Sequence, residues 1–93
     1  MTTKTVSFNK AGIAKLPIDK PVVYKIETEG GTNNYTGVAR RGQIQERLGH
    51  HLASGKISGS RVVIEQMSTI EEAMAREQRI ISRMRPKFNK QGK

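Results

Sequence analysis

A glutamate stands where an apolar residue belongs. Ile70, Ala73, Met74, Ile80, Ile81 and Met84 follow the i, i+3, i+4, i+7 rhythm of an inward helical face, and Glu77 falls in the middle of that stripe. A carboxylate there is drawn out of water, which is costly if it stays charged and unpaired. Two arrangements relieve that cost. Glu77 can lie at the margin of the stripe and pair with an arginine such as Arg47, or it can face a cleft and hold a hard divalent cation through carboxylate oxygen. The helix alone decides neither. Arg47 and His51 are one helical turn apart and project from one face of an earlier helix, beside its apolar stripe. Alone, they read as a solvated arginine and a surface histidine. His50 next to His51 raises zinc, but there is no cysteine and no third histidine to close such a site.

The elements that must carry these residues are legible from periodicity. PVVYKIET is β-branched and alternating, with Val22, Tyr24 and Ile26 on one face and Val23, Lys25 and Glu27 on the other. EGGTNN is a turn, and NYTGVA resumes as a strand, so residues 21–39 read as a hairpin. After ARRG, Ile44, Leu48 and Leu52 mark a helix from Gln43 to Ala53, in which Gly49 costs about 1 kcal/mol relative to alanine. SGKISGS is a loop and RVVIEQM a third strand. Ser68 with Glu71 gives the S-x-x-E pattern of a capping box, opening a long helix that Pro86 ends. Residues 1–19 read as an irregular or short-stranded lead-in, because Pro17 and Pro21 interrupt regular hydrogen bonding. The expectation is one α+β domain over residues 20–93, in the order ββαβα, with a small three-stranded antiparallel sheet flanked by helices.

Composition points to a polyanionic partner. Seventeen lysines and arginines oppose eight acidic residues, a net charge of +9 on 93 residues. Such a field attracts nucleic acid first, with anionic membrane or an acidic protein behind it. The absence of cysteine fits a reducing compartment. MTTKTVSFNK lacks the apolar run of a signal peptide, and no stretch is long and apolar enough to span a bilayer, so a soluble, cytoplasmic protein is expected.

Tyr24 in VVYKI and the YTG of Tyr35 to Gly37 resemble the paired strands of the GIY-YIG nucleases. RLGHH, from Arg47 to His51, resembles the family's catalytic arginine, followed one turn later by the histidine that many members carry. Glu77, then PKFN at Pro86 to Asn89, resembles its metal-binding glutamate and terminal P-x-x-N. The tail REQRIISRMRPKFN is especially close to that of the nuclease domain of the bacterial excision-repair incision subunit. The match runs in order from residue 21 to 89. It departs at Val22, in place of the GIY glycine, at Thr36, in place of the YIG isoleucine, and at Val38, where many members have lysine or serine. About two extra residues precede the arginine, so Arg40 and Arg41 compete for its role; Arg47 is preferred because it alone brings a helical histidine.

The resemblance implies hydrolysis of a DNA phosphodiester with one divalent cation, Mg²⁺ or Mn²⁺, on Glu77. It implies that Arg47 offers its planar fork to the phosphate and that a tyrosine takes the proton of the attacking water. Tyr35 is the first choice as base and His51 its relay partner, with Tyr24 lining the site and Asn89 fixing Glu77. Aromatic residues in strands are ordinarily core; here Tyr24 can keep its ring in the core and its hydroxyl in a cleft. Arg76, Arg79 and Arg83 form a basic ridge that Lys87, Lys90 and Lys93 extend, and together with Arg40 and Arg41 they are candidates to track the DNA backbone. No recognition module is attached, so specificity should be weak or structure-led unless a homodimer or a partner supplies the rest. RNA stays open as substrate. A catalytically degenerate nucleic-acid binder of the same fold and a basic regulatory module are the competing classes. Only the nuclease needs metal and Glu77.

Overall fold

The computed structural model describes residues 2–55 and 57–84. Seven elements follow in order: β1 (Thr2–Ser7), α1 (Lys10–Ala14), β2 (Val22–Glu27), β3 (Asn33–Ala39), α2 (Ile44–Ser54), β4 (Arg61–Gln66) and α3 (Ile70–Met84). All four strands join one antiparallel sheet in the order β1-β4-β2-β3. Central β2 alternates as its sequence demands. Val22, Tyr24 and Ile26 enter a core built with Ile13, Leu16, Ile44, Leu48, Val62 and Ile64, under α1 and α2. Val23, on the opposite face, packs with Met67, Ala73 and Ile80 under α3. The architecture is therefore α+β in three layers, with helices on both faces of the sheet.

The sheet has four strands rather than the expected three. β1 pairs along its whole length with β4, from Thr2 opposite Gln66 to Ser7 opposite Arg61. Long-range ladder bonds order a segment whose own alternation is too polar to announce a strand. Behind it, Asn9 caps the short α1 by accepting from the Gly12 N–H at 2.8 Å.

Other boundaries move slightly. The α2 helix spans Ile44–Ser54 and closes on Gly55, whose φ of 67° is the left-handed conformation that glycine adopts without strain. The capping box of α3 sits one residue later than Ser68 and Glu71. Thr69 Oγ1 accepts from the Glu72 N–H at 3.1 Å, while the Glu72 carboxylate accepts from the Ser68 N–H at 3.2 Å. Met74, expected to point inward, is 52% exposed, because Ala73 and Ile80 take the sheet-facing side and leave Met74 rotated toward the β3 edge. The end of α3 at Pro86 lies outside the described residues, as do Lys87, Asn89, Lys90 and Lys93. Among the described residues, no helix is long and apolar enough to cross a membrane.

Candidate active site at the β3 edge

β3 is an edge strand; α3 packs against it, and Arg47 and His51 of α2 approach its side chains. From β2, Tyr24 lies directly opposite Gly37 in the ladder, so its ring crosses over a strand position that carries no side chain. The whole side chain is buried, and its hydroxyl lies past Gly37, 2.9 Å from His51 Nε2 on α2. Tyr35 occupies the diagonal position. Its ring centroid lies 6.1 Å from that of Tyr24 and 4.8 Å from that of His51. The three rings form one aromatic cluster, tilted rather than stacked.

Beside this cluster opens a cleft of about 250 Å³, bordered by Tyr24, Tyr35 and Gly37 on one side and by Ile70, Met74 and Glu77 of α3 on the other. Arg40 and Arg47 also line it, while Arg47 and His51 share a neighbouring depression with Gln43, Glu46 and His50. Arg40, which the sequence left as a rival to Arg47, is thus in the same cleft; Arg41 is exposed and lines neither depression.

The electrostatics follow from burial. Desolvation, reinforced by the nearby Tyr35 and opposed by the Arg47 guanidinium, pushes the Tyr24 phenol far above its ordinary range. Tyr24 is therefore neutral, and its hydroxyl shares a hydrogen bond with His51 Nε2, which accepts from the phenol in the tautomer that carries its hydrogen on Nδ1. Burial and the positive charge of Arg47 push the His51 pKa below its ordinary value, so the ring is neutral near pH 7. Glu77 is half-buried, and desolvation raises its pKa, with Arg47 opposing from within the cleft. Among the described residues Glu77 has no ion-pair partner within 4 Å. The Arg47–Glu77 pairing, one of the two arrangements open on sequence, is therefore an attraction across the cleft and not a contact.

The structure brings together Tyr24, Tyr35, Arg40, Arg47, His51 and Glu77. Arg76 and Arg79 stand apart from them: they line a different depression on the other flank of α3, and the Arg76 guanidinium is held by Glu65 at 2.9 Å. Gly37 is a positioning residue that sequence reading passed over. Its signal was hidden by the β-bulge between Ile26 and Glu27: counting back from the turn sets Thr36 opposite Tyr24, and the one-residue register shift brings Gly37 there instead.

The donor set fits a hydrated hard cation. One carboxylate faces the cleft, and the described residues contain no group of three or more His, Cys, Asp or Glu able to enclose a metal. Mg²⁺ and Mn²⁺ suit such a site, because magnesium keeps most of its water shell and accepts one or two carboxylates. No protein-family model, curated protein or solved structure matches the chain.

Proposed function

We propose that this protein is a divalent-metal-dependent endonuclease that hydrolyses DNA phosphodiesters, with β2, β3, α2, β4 and α3 forming a GIY-YIG-like core to which β1 and α1 are added. One observation carries the reading: Tyr24, Tyr35, Arg47, His51 and Glu77, drawn from four separate elements, border one cleft or touch its aromatic wall. A purely structural set would have no reason to leave a half-buried, unpaired glutamate opposite two arginines.

Glu77 would hold Mg²⁺ or Mn²⁺. When bound, that cation supplies charge stabilisation to the phosphate and to the departing oxygen. Arg47 presents a bidentate fork to the non-bridging oxygens, with Arg40 adding positive charge at the cleft wall. The Tyr24 hydroxyl takes a proton from the attacking water as it passes its own to His51 Nε2, so that the phenol never carries a full negative charge. His51 then releases the proton into the depression it shares with His50 and Glu46. The hydrogen bond to His51 favours Tyr24 as the base over Tyr35, the first choice on sequence. Tyr35 packs against the imidazole and holds its orientation.

The test is incubation with supercoiled plasmid at low salt in Mg²⁺ or Mn²⁺, beside Glu77→Ala. Nicking that disappears with the substitution or with chelator is the expected result. DNA binding without cutting, equal in metal and in chelator, would instead favour a catalytically degenerate binder of the same fold.

A further inference from the structure

The basic ridge of α3 faces away from the Glu77 cleft. Arg79 borders a depression of about 600 Å³ on the opposite flank, together with Lys20, Gln66 and Ser68. Arg83, one turn after Arg79, continues the same flank. Most of the charge there is already committed. Arg76 is held by Glu65 at 2.9 Å, Glu72 accepts from the Ser68 N–H at 3.2 Å, and Asp19 accepts from the Gln66 amide at 2.8 Å. Lys20 and Arg79 are both exposed, and neither has an ion-pair partner within 4 Å among the described residues. Met67 and Ala75 are its apolar lining residues. Two available cations in a depression lined mostly by polar groups suit the phosphates of a nucleic-acid backbone.

The α3 helix is thus bordered by cationic groups along both flanks: Arg40 and Arg47 across the cleft on one side, its own Arg79 with Lys20 on the other. Its outward ridge between them is exposed and runs from Glu71 in the first turn through Ala75 to the uncharged Gln78 and Ser82 in the C-terminal half. A helix with its side chains is about 10–12 Å across, and the major groove of duplex DNA is about 12 Å wide. We propose that α3 lies in the major groove of duplex DNA, the Glu77 cleft engaging phosphates of one strand and Lys20 with Arg79 engaging those of the other. Gln78 and Ser82 then face base edges. This placement rests on reading the Glu77 cleft as a phosphodiester site, and it makes duplex, not single-stranded DNA, the substrate class. A single strand fills one flank only.

Fluorescence anisotropy decides it, with the full chain in chelator, a short labelled duplex and its isolated strand. The double variant Lys20→Ala/Arg79→Ala removes two exposed side chains, and a melting curve confirms that it folds. Duplex affinity should fall about tenfold near physiological salt, and the salt slope should shrink by about 2. Affinity for the single strand should change less than about twofold, since that strand lacks the second set of phosphates. Equal losses on both probes, or unchanged duplex binding, would overturn the placement. The outcomes separate from those of the nuclease reading. A wild-type chain that binds duplex as expected but cuts nothing retains the groove contact and loses the chemistry. One that cuts while the double variant binds normally retains the chemistry and loses the groove contact.

Discussion

Gly37 and Tyr24 face each other across the β2–β3 ladder, and a Cβ on Gly37 would stand 2.6 Å from both the Cζ and the hydroxyl oxygen of Tyr24. The space a side chain would fill is taken by the phenol. Because β3 is the sheet edge, that passage is the route by which a core residue of the central strand delivers a hydroxyl to the site. The glycine is required for the aromatic ring, not for backbone conformation.

Gly37→Ala should therefore damage chemistry more than fold. The Tyr24 ring is fully enclosed, so relief must come from parting the strands or displacing the hydroxyl. Overpacking of this kind costs about 1–3 kcal/mol, and misplacing a reacting group by about an ångström costs about 100-fold in rate. Thermal melting and plasmid nicking measure the two. Undiminished nicking would show that Gly37 does not place the hydroxyl.

The hairpin, α2, β4 and α3 could be read along the chain because each buries one face, and burial imposes a period on its residues. The β1 strand could not. Its only apolar residue is Val6, and its partner β4 lies across most of the chain, so nothing local specifies it. The five-residue α1 is likewise too short to show a stripe. At the site, residue types and their order were legible, whereas contacts were not. The Tyr24–His51 hydrogen bond spans 27 positions, and no spacing rule distinguishes it from a Tyr35–His51 bond. The flank taken by Arg76 and Arg79 was equally hidden, since a helical wheel gives relative directions and not which neighbour fills them.

Gly49→Ala should stabilise the protein. Gly49 lies inside α2 at a helical φ, and a Cβ there meets nothing within 4 Å. The substitution removes backbone freedom from the unfolded chain with no clash in the folded one. A gain of about 0.5–1 kcal/mol is expected, read as a higher denaturation midpoint with unchanged cleavage. A loss would mean that α2 needs the glycine for an approach by another group.

Glu77→Gln should abolish cleavage while raising stability. The folded pKa of Glu77 lies above its ordinary value, so folding favours the protonated form. Its stabilising contribution is complete below the unfolded pKa and is lost as pH rises through the folded one, leaving a strained carboxylate at neutral pH. The neutral amide removes that strain, so the denaturation midpoint should rise. Millimolar Mg²⁺ should raise the melting temperature of the wild type, because it binds only the folded state, and should leave the variant unmoved. Equal shifts in both proteins would place the cation elsewhere.

Tyr24→Phe should lower cleavage by about 10²–10⁴, the range for losing a positioned proton acceptor, while Tyr35→Phe should cost less than about tenfold. The pH profile separates the relay from the carboxylate. Burial and Arg47 hold the His51 pKa below 6.5, so the ring still accepts a proton at neutral pH and activity should fall only on acidification past that value. Glu77, whose pKa is raised, titrates on the same acid side, but its protonation competes with metal, so excess Mg²⁺ pushes that limb to lower pH. The His51 limb should stay fixed as metal is increased and should vanish in the residual activity of Tyr24→Phe, which has no hydroxyl to pass a proton to Nε2. A Tyr24→Phe variant that cuts at the wild-type rate, or an acid limb that moves entirely with metal concentration, would remove His51 from the proton path and return the base to Tyr35.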